Sequence, residues 1–345
     1  MIQKGKLLLA ILLLAVGTIV VNAQQTPLYT QYMLNGFLVN PAIAGSEGYT
    51  SVAITAREQY VGFPGSPRTQ SVSAQTRLLP NNWLLSMFNK GVKKRYKRNS
   101  NQSKVGLGVY VLNDKNGLVD RTGFEMAYAY HLFMKQSQLS FGLGLSYFNM
   151  RINPSYLKGI DGAAITDAQS MFSDKYSNLK MNIPDANFGV YYSSPNLYGG
   201  IAISNLFQAY LKFEGTGNDF KQSRNYTITG GYKFELDKDY MLEPSTLIKY
   251  SQSGAFQFDL GTRLYVKEDY WAGLSYRSGA DKGAFGFNSS ALSFLGGVRV
   301  ERFFFGYSYD YNFNDIGPLT YGSHEFMLAY KFGDNTRRYR WLNRY

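Results

Sequence analysis

Gln138-Leu139-Ser140-Phe141-Gly142-Leu143-Gly144-Leu145-Ser146-Tyr147 puts five bulky apolar side chains on one parity and glutamine, serine and glycine on the other. A period of two sends successive side chains to opposite faces of a strand. One such run proves little, because a half-buried sheet of a soluble protein alternates too. Repetition decides the matter. Just upstream, Phe124, Met126, Tyr128, Tyr130 and Leu132 alternate with Gly123, Glu125, Ala127, Ala129 and His131. Further on, Phe303, Phe305, Tyr307, Tyr309 and Tyr311 oppose Gly306, Ser308, Asp310 and Asn312. The last run sets Phe326, Leu328, Tyr330 and Phe332 against Glu325, Met327, Ala329 and Lys331.

Working outward gives about fourteen segments, near 50–60, 67–78, 104–114, 119–134, 138–152, 185–194, 196–206, 225–237, 240–252, 255–267, 269–279, 290–300, 302–313 and 322–332. An even set of roughly ten-residue alternating segments is the pattern of an outer-membrane barrel. The expected fold is therefore all-β, a transmembrane antiparallel β-barrel with both termini periplasmic. Aromatics at 16% and 35 glycines suit a wall with lipid on one side and a crowded lumen on the other. Long connections at 153–184, 207–224, 280–289 and 313–321 alternate with tight turns near Gln136, Pro195, Lys238, Glu268 and Glu301. That is the asymmetry of outer loops against periplasmic turns. Only 79–103 breaks it.

Four segments flank or interrupt the barrel, which spans 50–333. Residues 1–23 carry Lys4 and Lys6, an apolar run from Leu7 to Val21 and the small-residue end Val21-Asn22-Ala23, the plan of a signal peptide. Residues 24–49 have no strand period and read as a periplasmic N-terminal plug or docking segment. Residues 79–103 form a basic insertion, and 334–345 a basic aromatic tail. The formal charge of +12 resolves onto these pieces. Two lysines leave with the leader, seven cations from Lys90 to Lys104 have no acid among them, and the tail carries the remaining net three. The barrel body is neutral, so the basicity gives no support to a nucleic-acid partner. Lys93, Lys94, Arg95, Lys97 and Arg98, with Arg337, Arg338 and Arg340, are candidates for docking periplasmic partners or anionic headgroups. An ordinary solvated charge run remains the alternative.

Chemistry is sparse. The chain has no cysteine, which removes disulfides, thiolate metal sites and a lipid anchor at the cleavage point. His131 and His324 have no evident co-ligands, and Ser323 and Glu325 share a face that His324 does not. Gly106-Leu107-Gly108 and Gly142-Leu143-Gly144 open no helix and so make no phosphate loop; glycines on a strand's lumen face relieve crowding or mark bends. No cofactor, metal or catalytic group is expected. The lumen parity carries mixed charges: Arg57, Glu125, His131, Lys233, Glu235, Glu243, Lys249, Asp259, Arg263, Asp310, Glu325 and Lys331. An open diffusion pore or a lumen holding a plug would both look like this, and Arg57, Asp310 and Glu325 could be mutual ion-pair partners.

Gln31-Tyr32-Met33-Leu34-Asn35 followed by Asn40-Pro41-Ala42-Ile43-Ala44-Gly45 resembles the opening of the PorP/SprF family of Bacteroidota outer-membrane proteins. Arg57 with Gln59-Tyr60-Val61-Gly62, Pro67 with Thr69, Gly273-Leu274-Ser275-Tyr276-Arg277, Gly306-Tyr307-Ser308-Tyr309-Asp310 and Gly322-Ser323-His324-Glu325 follow in order. Gly36 stands where the family usually has proline, and Tyr60 where it often has tryptophan. The resemblance implies an integral outer-membrane component of the type IX secretion and gliding machinery. It implies, as partners, outer-membrane lipids, a secreted or adhesin cargo bearing a C-terminal secretion domain, and machinery proteins on the periplasmic side. Its motifs carry over as partner-binding candidates Gln31, Tyr32, Met33, Asn40, Pro41, Gly45, Arg57, Tyr309, Asp310, His324 and Glu325. A solute channel or transporter without a cargo is the alternative.

Overall fold

The computed structural model describes residues 29–78, 104–117, 119–152, 180–212, 219–267, 269–280, 289–314 and 317–332. The leader, the basic insertion at 79–103 and the tail at 334–345 lie outside them, and with these all eight basic docking candidates. The first half of the wall is β1 (Thr50–Glu58), β2 (Arg68–Arg77), β3 (Val105–Asn116), β4 (Val119–Phe133), β5 (Gln138–Ile152), β6 (Lys180–Ser193) and β7 (Leu197–Ser204). A small hairpin, β8 (Tyr210–Lys212) and β9 (Asp219–Lys221), stands in the next connection. The second half is β10 (Asn225–Tyr232), its two-residue extension β11 (Phe234–Glu235), β12 (Tyr240–Ser251), β13 (Phe256–Val266), β14 (Tyr270–Ala280), β15 (Ser289–Val300), β16 (Phe303–Asn312) and β17 (Ser323–Phe332).

Every wall strand pairs antiparallel with its neighbours, β10 pairs β12, and β1 pairs β17 with Thr50 opposite Phe332. Among the described residues fourteen strands thus close into a barrel, and closure removes the unpaired edges that lipid could not satisfy. The seam places both barrel ends on one rim, here the near rim; the connections at 59–67, 117–118, 153–179, 205–224, 252–255, 281–288 and 313–322 belong to the far rim.

Alternation holds in β5 as the sequence predicts. Leu143 and Leu145 are 56% and 65% exposed, whereas Gly142, Gly144 and Ser146 are buried. The exposed set of leucines, phenylalanines and tyrosines is the surface offered to lipid. Directly opposed aromatics pack against each other across it, as Phe124 and Tyr147 do with tilted rings whose centroids lie 6.2 Å apart.

Two expectations shift. β6 starts at Lys180, five residues before the expected 185, although Pro184 argues against a strand. Pro184 pairs with Tyr147 on the β5 side, but β7 joins β6 only from Phe188 onward. The proline therefore faces no ladder on its other side and costs no bond. Glu235, placed in the lumen by parity, is exposed in β11, where the β10–β12 hairpin runs beyond the near rim.

Candidate functional site

The lumen is where sequence pattern and structure meet. A barrel of eight strands is filled by its own side chains, and one of sixteen to eighteen leaves a water channel. Fourteen strands leave a space that side chains alone do not fill, and residues 29–49 lie in it. Two short 3-10 turns, Gly36–Leu38 and Pro41–Ile43, compact the segment. Asn40 caps the second: its Oδ1 accepts from Ala42 N (2.9 Å), while its Nδ2 donates to Val190 O on the wall (3.1 Å). Pro41 supplies the fixed φ of a first helical position.

The glycines of the lumen parity are the seat. A Cβ on Gly108 would meet the Phe37 ring, one on Gly142 the backbone of Pro41 and Ala42, one on Gly189 the Asn40 amide and one on Gly306 the Gln31 amide. Phe37 is buried there with Ala44, Ala127 and Ala129, edge-on to Tyr110 at 5.7 Å. Gly142→Val should therefore lift the segment from β5. Because backbone cannot yield as a side chain can, we expect a loss of about 1–3 kcal/mol. Urea unfolding of the purified barrel reads it; an unchanged midpoint would mean the contact carries no weight.

The segment is fixed at both ends. Near the far rim, Arg57 Nη2 meets Asp310 Oδ2 at 2.6 Å and its Nη1 meets Glu325 Oε2 at 3.2 Å. Arg277 holds Asp259 (2.9 Å) and reaches the same Asp310 oxygen (3.3 Å). Charges thus alternate in a row, Asp259, Arg277, Asp310, Arg57, Glu325, all buried. Register explains two of these contacts, since Arg57 lies opposite Glu325 and Asp259 opposite Arg277.

The N-terminal segment completes the row. Thr30 N and Gln31 N donate to the two oxygens of Glu325 at 2.8 and 2.9 Å. Thr30 Oγ1 donates to Asp310 (3.0 Å) and accepts from Arg57 (2.7 Å) and Arg277 (3.2 Å).

Toward the near rim, buried Arg77 donates to Gly45 O (2.9 Å), Ser46 O (2.5 Å) and Gln138 Oε1 (2.8 Å). Gly45 has φ +67°, and a Cβ there would strike the Thr76 carbonyl, so two constraints select glycine. Gln138 and His131 both bond Ser140 Oγ, at 2.9 and 2.8 Å. Glu47 and Tyr49 meet Lys331 where the segment turns into β1.

Of the motif residues, Gln31, Tyr32, Asn40, Pro41, Gly45, Arg57, Asp310 and Glu325 come together in the lumen as buried groups, with Met33 half-buried beside them. Tyr309 and His324 lie apart, on the outer parity. His324 Nδ1 bonds Tyr307 Oη at 2.8 Å, and its ring lies 5.3 Å from Tyr309. Arg77 and Arg277 were missing from the charges assigned to the lumen. Arg277 had a signal, since it shares parity with the buried Trp271 and Ser275. Arg77, at the end of β2, had the same signal, since it shares parity with the buried Thr69, Ser71 and Ser73. Among the described residues no three metal-ligating side chains cluster.

A family model described as "Type IX secretion system membrane protein PorP/SprF" matches residues 21–330. A search of curated proteins finds no match. Among solved structures the chain is similar to the Acinetobacter baumannii outer-membrane protein Omp33 (9% identity, 83% of this chain and 98% of that one, TM-score 0.41). It is also similar to the CymD monoaromatic hydrocarbon channel (8%, 86% and 91%, TM-score 0.46) and the Pseudomonas putida toluene transporter TodX (8%, 86% and 92%, TM-score 0.42). At these scores the likenesses carry no functional argument.

Proposed function

The chain belongs to the PorP/SprF family of type IX secretion system membrane proteins and is an integral outer-membrane protein, and from that premise we propose that it serves export or surface attachment of cargo proteins rather than solute diffusion or catalysis. The observation that carries this reading is the lumen filling: residues 29–49 are bonded to opposite walls and seated on lumen glycines. A diffusion pore has no use for such a filling, whereas a partner-bearing barrel keeps the envelope sealed with it. The cargo would share one C-terminal secretion domain and meet the far rim, whose longer connections suit the cell surface. The near rim, with its tight turns, would then face the periplasm, and from it the basic insertion and tail would meet other parts of the machinery.

Quantitative proteomics of the cell surface and medium of a strain lacking this gene tests the proposal. A small group of proteins with one common C-terminal domain should leave the surface. An unchanged surface together with altered solute uptake would replace the reading with a transport role.

A further inference from the structure

At the far rim the N-terminal segment floors a small open recess of about 80 Å³. Its wall comes from β3, β4, β5, β6, β7, β10 and β12, neighbours on one half of the barrel. None of its lining residues is acidic, and two, Arg121 and Lys249, are cationic. The nearby carboxylates each have other donors: Asp114, opposite Arg121 in the register, accepts from Thr69, Glu125 accepts from Tyr110 and Asn187 beneath the recess, and Asp259 is held by Arg277.

Arg121 stands out. Its guanidinium lies over the Phe148 ring at 3.9 Å, its Nε is buried without a hydrogen-bond partner, and it forms no salt bridge among the described residues. Stacking on an aromatic face leaves the planar donor fork free to take a carboxylate edge-on.

The rest of the recess suits a peptide. Asn205 and Asn225 each give their amide N–H to Ser223 O, at 3.0 and 3.4 Å, which leaves their carbonyl oxygens as acceptors for backbone N–H groups. Leu38, Val39 and Leu112 make an aliphatic floor that fits an apolar side chain better than the polar rim of a sugar ring. We propose that this recess captures the free C-terminal carboxylate of an extended peptide chain, with Arg121 as the carboxylate-binding residue. Capture of a chain end is a known mode of peptide recognition. The inference rests on the cargo-partner reading and names the part of the partner that this rim would hold.

The test uses the purified full-length chain in detergent and a short labelled peptide of alternating apolar and polar residues, as free acid and as C-terminal amide. A uronic-acid oligosaccharide serves as a third probe. The acid should bind about tenfold tighter than the amide, the loss of one charge-assisted hydrogen bond. Arg121→Gln should bring the two together, and Arg121→Lys should restore part of the difference, which separates recognition from a folding defect. Equal binding of acid and amide, no binding of either, discrimination that survives Arg121→Gln, or Arg121-dependent binding of the saccharide alone would each overturn the proposal. Failure here with cargo lost from the deletion strain's surface would remove only the recess inference. Discrimination here with an unchanged surface would remove only the secretion reading.

Discussion

Arg57→Met will destabilise the barrel by about 3–5 kcal/mol, the cost of leaving buried charge without its partner. Arg57 touches two carboxylates, Asp310 and Glu325, and the hydroxyl of Thr30. Methionine fills similar volume, so packing loss contributes little and the effect reads the electrostatics. Asp310 keeps Arg277, which limits the damage there. Glu325 keeps only neutral donors, Thr30 N and Gln31 N, and becomes the uncompensated charge. Adding Glu325→Gln to Arg57→Met should therefore recover a large part of the loss. Thermal and urea unfolding of the single and double variants measure both numbers. If the double variant is as unstable as the sum of the singles, the two residues do not act as a pair and the row is not a coupled network.

Why the strands were legible and this row was not follows from what alternation encodes. Parity states which face a side chain takes, and it put Arg57, Asp259, Asp310 and Glu325 inward. It states nothing about depth or partner. Arg57 and Glu325 are 268 residues apart and meet only because β1 closes on β17, so their contact depends on the strand count and the register of the seam. The N-terminal segment was illegible for a different reason. Its 3-10 turns are held by tertiary contacts from Asn35, Asn40 and Arg77 rather than by a periodic apolar face, so no local period announces them. The lumen glycines did leave a trace. Gly142 and Gly144 sit on the small-residue parity of β5 between Ser140 and Ser146, and of the two readings, crowding and a bend, the close approaches there bear out crowding. What the sequence did not say was that at Gly142 the crowding comes from this chain's own amino-terminal segment, whereas at Gly144 it comes from Glu125.

Removing residues 29–47 should turn a sealed barrel into a conducting one. The segment lies across the lumen from the Arg77 contacts near one rim to the Glu325 contacts near the other, and the strand count leaves space behind it. The exposed walls carry both signs of charge, so the resulting pore should discriminate weakly between cations and anions. Planar-bilayer recording of the full and shortened chains reads the change directly as steps absent before the deletion. Loss of the seat could also prevent assembly, because the buried row would lose its two backbone donors. Gln31→Pro is milder: it removes the Gln31 N–H to Glu325 and the side-chain amide bond to the Glu325 carbonyl, and leaves the Thr30 contacts in place. A hydrogen bond to a charged group contributes about 1.5–3 kcal/mol, which shifts the docked equilibrium at least about tenfold toward the undocked form. Brief openings in this variant, with its barrel intact by circular dichroism, would establish the segment as the seal. A shortened barrel that inserts, folds and stays silent would place the barrier in the wall side chains instead, and the lumen filling would then have to be explained by stability alone.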